Sequence, residues 1–329
     1  MVTVVPDIYF LPEWGKFFES KEKDGVLRIF ELNEALGHVY YPFILREISV
    51  KGEKTAFFDT ITPYGFSGPV ILRCAEGRRA ELVARFDASF GEYCTEHRIV
   101  TEYVRFNPWI RNLADFEELY ELRDNGHTLW IDLTVGDVFM DEFSPKARTQ
   151  VRKARKQNVE IEFDYTGATA KEFHRLYELM ARKNGVDNAY YLFSEAFLRD
   201  SFDVFGGKQF FINAKFEGNY ISSSLVVHHG DYMHYHLTGN DPAYYHLAAN
   251  SLILHEACRW GVEQGKKEVH LGGGNEVVIR FKRGFTKTEP LKLLMGKRIR
   301  DEAGYAELVA IRERTAAPLN KDFFPLYRG

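Results

Sequence analysis

Six positive charges fall within eleven residues, Lys146, Arg148, Arg152, Lys153, Arg155 and Lys156, with no acid among them. Ser144 before Pro145 predicts a helix start here and Asn158 its end. On that helix Arg148, Arg152, Arg155 and Lys156 recur at spacings of 3 and 4 and share a broad face, and Lys153 lies off it. Such a face suits phosphate oxygens through charge-assisted bonds. The plainer reading is a solvated helix paired with Asp141, Glu142, Glu160 and Glu162. Like charges so crowded cost helix stability, which favours a bound polyanion. A second cluster is H-L-G-G-G at 270–274, followed by R-F-K-R-G-F at 280–285. The Lys282 ammonium can stabilise an oxyanion developing near the Gly-rich strand end; the alternative is an exposed lysine beside a packed Phe281.

The remaining candidates are weaker. T-P-Y-G-F-S-G-P at 62–69 offers backbone N–H groups and Tyr64 to a ligand, or is simply a rigid connection. Arg105 and Asn107 end a strand beyond it, and Tyr235 and Asn240 add polar groups near the 240–250 connection. Glu276 or Asp241 could serve as general base, and the residues do not choose between them. Five of eleven histidines lie between 228 and 246. A hairpin turn at Gly230-Asp231 would put His229, His234 and His236 on one face, too spread for compact tetrahedral ligation, so no metal is expected. L-G-G-G-N lacks the G-x-G-x-x-G spacing, and there is no phosphate loop ending in Gly-Lys-Ser/Thr.

These residues need a scaffold. The chain has 329 residues, 45% apolar and 27% charged, with net charge -4, which suits two globular domains and excludes disorder or a wholly basic surface. No run approaches the roughly 20 apolar residues of a membrane-spanning helix. With no leader pattern at the start, a cytoplasmic monomer is expected. Cys74, Cys94 and Cys258 are read as isolated thiols. Periodicity predicts strands in 25–50, a loop over FFDTITPYGFSGPVI, a helix over 78–96, strands at HRIVTEYVRF and GHTLWIDLTV, and a short helix at DFEELYEL. Then come helices over 169–184 and from Ser194, three strands at QFFINAKFEG, YISSSLVVHHG and DYMHYHLTG, a helix to Gly265, and strands at KEVHLGGG and LKLLMGKRIR. Both halves read as helices and antiparallel strands in related order. The expected fold is therefore α/β (α+β) with mainly antiparallel mixed sheets, divided as 1–142, 143–300 and a tail, 301–329.

The element order of the second half resembles a GNAT-type acyltransferase. More specifically, S-P-K-A-R-T-Q-V-R-K-A-R-K-Q-N, T-P-Y-G-F-S-G-P, H-L-G-G-G and R-F-K-R-G-F resemble the FemAB/FemX aminoacyltransferases, which carry two GNAT-like domains. The resemblance implies tandem GNAT-like domains, with the tail packed back on the first. It implies transfer of an amino acid from aminoacyl-tRNA to an amine on a peptidoglycan precursor, or on a related peptide-, nucleotide- or lipid-linked acceptor. Phe281 and Lys282 match the family's catalytic pair. No metal, no cofactor and no covalent enzyme intermediate are implied, aminoacyl-tRNA being a co-substrate. The rival is an acyl-CoA-dependent N-acyltransferase acting on an amino sugar or small amine. Its pyrophosphate site would be a basic, Gly-rich turn before a helix. Here that connection, N-D-P-A-Y-Y-H-L-A-A-N at 240–250, has no Arg, Lys or Gly.

Overall fold

The computed structural model describes residues 4–22, 24–50, 52–183, 192–314 and 320–329. The expected helix end at Asn184 and residues 315–319 of the expected tail lie outside them. The strands are β1 (Gly25–Asn33), β2 (Gly37–Val50), β3 (Glu53–Ile61), β4 (Val70–Cys74), β5 (Ile99–Arg105), β6 (Glu121–Asp132), β7 (Glu160–Asp164), β8 (Gln209–Phe216), β9 (Asn219–His229), β10 (Tyr232–Asn240), β11 (Glu268–Gly272) and β12 (Leu291–Ile299). The helices are α1 (Pro12–Phe17), α2 (Arg79–Glu96), α3 (Leu113–Phe116), α4 (Val138–Asp141), α5 (Pro145–Lys156), α6 (Ala170–Lys183), α7 (Glu195–Phe205), α8 (Ala249–Glu263), α9 (Glu276–Arg283) and α10 (Glu302–Glu313).

The chain forms two compact units. One comprises Met1–Val5, Tyr9–Gly126 and Lys292–Gly329, the other Pro6–Ile8 and His127–Leu291. The division therefore differs from the expected cut at 142/143. The segment 127–142 joins the second unit because β6 pairs there with β11, from Glu268↔Asp132 to Gly272↔Leu129. Residues 292–300 join the first, where β12 pairs with β5 from Met295↔Arg105 to Ile299↔Thr101. Within that first unit, the Tyr327 hydroxyl bonds Asp59 at 3.1 Å and Arg328 Nε donates to it at 2.5 Å. The loop expected over FFDTITPYGFSGPVI shrinks to 62–69, because its flanks are taken up by β3 and β4.

The units repeat one plan, a tandem of GNAT-like mixed sheets. In the first, antiparallel β1, β2 and β3 lead through α2 to β5, which lies parallel to β3, and antiparallel β12 follows. In the second, antiparallel β7, β8, β9 and β10 lead through α8 to β11, parallel to β10, and antiparallel β6 follows. A parallel pair demands a crossover, and a helix supplies it in each case. Leu82, Phe86 and Phe90 give α2 a buried stripe, with the Phe86 and Phe90 rings stacked at 5.8 Å in a core that includes Tyr41, Phe43 and Phe116. Helix α8 is apolar on several sides because it is enclosed: Leu252, Ile253, Leu254, Ala257 and Cys258 are all buried. Glu217 and Gly218, at φ 50° and 80°, close the β8–β9 hairpin as a two-residue turn, for which Gly at the second position suits. On β10, a Cβ at Gly239 would stand 2.4 Å from the Tyr177 backbone nitrogen, so α6 can cross there only over glycine.

Candidate active site

Strands β10 and β11 of the second unit pair at only three positions, ending at His234↔His270. Beyond them β10 bulges between Tyr235 and Leu237, and β11 shifts register between His270 and Gly272. A fork in the sheet results. It frees β11 to end in Gly272, Gly273 and Gly274, where Gly272 and Gly274 sit at φ 74° and 144°, values that side chains rarely adopt. Asn275 then caps α9, accepting from the Val278 amide at 3.0 Å. R-F-K-R-G-F is thus helical up to Arg283 and turns at Gly284.

The helix returns Lys282 to the strand end. Its Nζ donates to the Gly273 carbonyl at 2.6 Å, and a Cβ on Gly272 would lie 3.5 Å from it. Burial pushes this ammonium down from 10.5 to about 8, and among the described residues no carboxylate pairs with it. Phe281 packs at 4.9 Å against the buried Phe285, whose ring meets Phe143 at 5.0 Å, so the neighbour of Lys282 is anchored in the core. At pH 7 the site holds a cation without a counter-ion, which suits a developing oxyanion.

The basic helix, α5, forms as expected: Ser144 Oγ accepts from the Ala147 amide at 3.2 Å and Asn158 takes the left-handed conformation, φ 56°. Ala147, Val151 and Ala154 turn inward. Its charges are not equivalent, however. Arg148 donates to the carbonyls of Met140 at 3.0 Å and Phe143 at 2.8 Å. Arg155 pairs with Glu256 at 2.9 Å; burial would raise that carboxyl, but hydrogen bonds from His255, Arg155 and Arg259 bring it down to about 2. Of the acids expected as partners, Glu142 is occupied by Thr286 and the Lys287 amide, Glu162 by Lys215, and Asp141 accepts from the Asp137 amide. Arg152 lies 5.4 Å over the Phe139 ring, and Lys146, Lys153 and Lys156 are exposed.

Tyr235 and Asn240 belong to the scaffold of the fork. Burial pushes Tyr235 up to about 12; its hydroxyl donates to Asn250 at 2.5 Å and accepts from Ser224 at 2.7 Å. Asn240 accepts from Ser222 at 2.6 Å. In the first unit, Arg105 donates to the carbonyls of Thr62 at 2.5 Å and Pro63 at 3.2 Å, and Asn107 to that of Phe66 at 3.2 Å. Both therefore hold the 62–69 loop, where the Tyr64 ring stacks on Phe18 at 4.7 Å. Of the two proposed bases, Asp241 caps the 3-10 turn Pro242–Leu247, accepting from Ala243 at 3.0 Å, and Glu276 is exposed on the first turn of α9.

Sequence reasoning missed one buried chain. Asp7 Oδ2 meets His234 Nε2 at 2.8 Å, His234 Nδ1 lies 3.4 Å from His270 Nδ1, and His270 Nε2 meets Thr128 Oγ1 at 2.5 Å. All four residues are buried. The partners of the two imidazoles are distant in sequence, and no local spacing signals them. Among the described residues no three His, Cys, Asp or Glu gather as a metal site, and no helix is long and apolar enough to cross a membrane.

Residues 145–283 match the family described as an acetyltransferase (GNAT) domain. No curated protein matches the sequence. Among solved structures the chain is similar to FemX, with TM-score 0.70 and 11% identity over 93% of this chain and 94% of that one. It is similar to the C-terminal domain of a putative lysylphosphatidylglycerol synthetase from Agrobacterium fabrum, with TM-score 0.54 and 11% identity over 88% of each chain. It also resembles L-PGS from Bacillus licheniformis, with TM-score 0.51 and 13% identity over 92% and 94%. The chain thus has the FemX-like tandem GNAT fold, with its family-matching segment running from the basic helix through Lys282.

Proposed function

We propose that the protein is an N-aminoacyltransferase that moves an amino acid from aminoacyl-tRNA to an amine on a peptide-, nucleotide- or lipid-linked acceptor, a peptidoglycan precursor being the type implied by its FemX-like fold. The observation that carries this reading is Lys282, a half-buried ammonium held by one carbonyl at a glycine strand end. Attack of the amine on the ester carbonyl puts negative charge on the carbonyl oxygen, and Lys282 supplies the compensating charge with little reorganisation. Phe281 fixes the backbone of that turn. The basic helix would take tRNA phosphates through Arg152, Lys153 and Lys156, with Arg148 and Arg155 fastening the helix in place. Tyr64, held with its loop by Arg105 and Asn107, is assigned to ligand binding in the first unit, and Tyr235 and Asn240 to holding the fork of the second.

The second reading keeps the acyl transfer and replaces the donor by acyl-CoA. Its pyrophosphate would need free amides at the start of α8. That approach is filled by the 3-10 turn Pro242–Leu247, which has no Arg or Lys of its own, and by Ala248 in the left-handed conformation, φ 57°, which favours the tRNA-borne donor. Incubation with charged tRNA pools and amine acceptors, beside a parallel titration with acetyl-CoA, decides between them: aminoacylated amine supports the first, and tight CoA binding with acetyl transfer the second.

A further inference from the structure

The fork of β10 and β11 holds more than a lysine. The chain from Asp7 through His234 and His270 to Thr128 has a direction fixed by its chemistry. A carboxylate can only accept, so His234 Nε2 carries hydrogen toward Asp7, and in a neutral ring His234 Nδ1 is then an acceptor. His270 Nδ1 then carries hydrogen toward His234, and His270 Nε2 accepts from the Thr128 hydroxyl. Burial, reinforced by the Lys282 ammonium, pushes His270 well below its ordinary value. Burial likewise brings His236 down to about 3, so the region favours neutral imidazoles.

The chain also begins next to the strand end in the sheet register. Thr128 precedes Leu129, the residue opposite Gly272, and the next residue of β11's end, Gly273, gives its carbonyl to Lys282. His234 and His270 are the last paired residues before the strands part. Four buried polar groups cost free energy unless every one is satisfied, and apolar side chains would fill the same positions more cheaply. We propose that Asp7, His234, His270 and Thr128 form a proton relay that accepts the proton of the attacking amine, Thr128 Oγ being the end that meets it and the other three positioning residues behind it. This assignment rests on the aminoacyl-transfer reading.

The step balances. As the amine nitrogen bonds to the ester carbon, its surplus proton passes to Thr128 Oγ and the Thr128 proton to His270 Nε2. The His270 Nδ1 proton moves to His234 Nδ1, and the His234 Nε2 proton to Asp7. When the carbon–oxygen bond to the tRNA ribose breaks, the relay runs back and returns a proton to the leaving oxygen. The net exchange is one N–H for one O–H, with no co-reactant.

The test uses the full chain, an in vitro charged tRNA pool, and two acceptors, an alkylamine and the far less basic hydroxylamine. Thr128→Val keeps the shape and removes the hydroxyl. It should lower kcat with the alkylamine roughly 100-fold, in the range expected for loss of general-base help. Thr128→Ser should restore it, and hydroxylamine, whose adduct sheds its proton to water, should restore Thr128→Val. Near-normal alkylamine turnover by Thr128→Val, or an equal loss with both acceptors, overturns the relay. Long-range nitrogen–proton NMR on the wild-type protein tests the relay independently of folding of the variants. Hydrogen on His234 Nε2 and His270 Nδ1 is expected, and hydrogen on His270 Nε2 overturns it. A wild-type protein with these tautomers that transfers nothing from tRNA would instead sink the donor reading.

Discussion

The first unit and the fork of the second treat charge in opposite ways. In the first, each buried ion has a counter-ion: Arg300 Nε meets Glu102 at 2.5 Å, Arg46 meets Asp59 at 2.8 Å, and Arg328 meets the other Asp59 oxygen at 2.5 Å. Glu102 also accepts from the hydroxyls of Tyr41 at 3.2 Å and Tyr120 at 3.1 Å, so its lone pairs are spoken for. At the fork of the second unit, Lys282 has a carbonyl and, among the described residues, no carboxylate, and burial holds His236 and His270 neutral. Charge that is neutralised in place fastens a fold. Charge left uncompensated costs stability and remains available to a transition state.

Breaking each arrangement should separate stability from turnover. The largest stability effect is expected for Glu102→Ala, which strands a buried guanidinium and should cost about 3–5 kcal/mol, read as a drop in the denaturant midpoint. Lys282→Met should do the reverse, lowering kcat roughly 100-fold while KM and the melting temperature change little. Near-normal melting of Glu102→Ala, or unfolding of Lys282→Met, would erase the contrast.

A pH series sharpens it. Burial lowers the folded pKa of Lys282 from 10.5 to about 8, so the unfolded chain binds more protons between those values. The Lys282 contribution to stability should therefore rise with pH across that window, and this rise should vanish in Lys282→Met. Over the same range kcat should fall as pH passes upward through about 8, because the ammonium is the active form. A wild-type rate that is flat there would disprove the charge as the agent.

The smallest effect belongs to the basic helix. Gln at Arg152, Lys153 and Lys156 should leave the melting temperature unchanged and reduce the salt slope of tRNA binding by up to about 3, near one unit for each phosphate no longer neutralised. Arg148 and Arg155 are excluded because removing their bonds to carbonyls and to Glu256 would also weaken the fold. An unchanged slope would reassign α5 to a solvated face.

What could be read in advance follows the range of the interactions. Helix α5 was legible because Ser144, Pro145 and Asn158 act within a turn of themselves, and the β8–β9 hairpin because Glu217-Gly218 carries its own backbone preference. The helical form of R-F-K-R-G-F was not, since eight residues without a buried side chain give a weak period. The unit division left no local trace, because β6 and β12 take their partners from β11 and β5, far along the chain. At the site, Lys282 was legible from its motif. The partners of Arg148 and Arg155 and the Asp7–His234–His270–Thr128 chain were not, because carbonyl acceptors and side chains 36 to 227 residues apart leave no local trace.

The most direct measurement is a single-turnover assay in which wild-type and Lys282→Met proteins are mixed with charged tRNA and an amine acceptor, with the product read by mass spectrometry. The account predicts aminoacylated amine from the wild type and formation roughly 100-fold slower from Lys282→Met, with tRNA binding unchanged. Equal rates from the two proteins would contradict the role of Lys282, and acyl transfer from acetyl-CoA alone would contradict the donor.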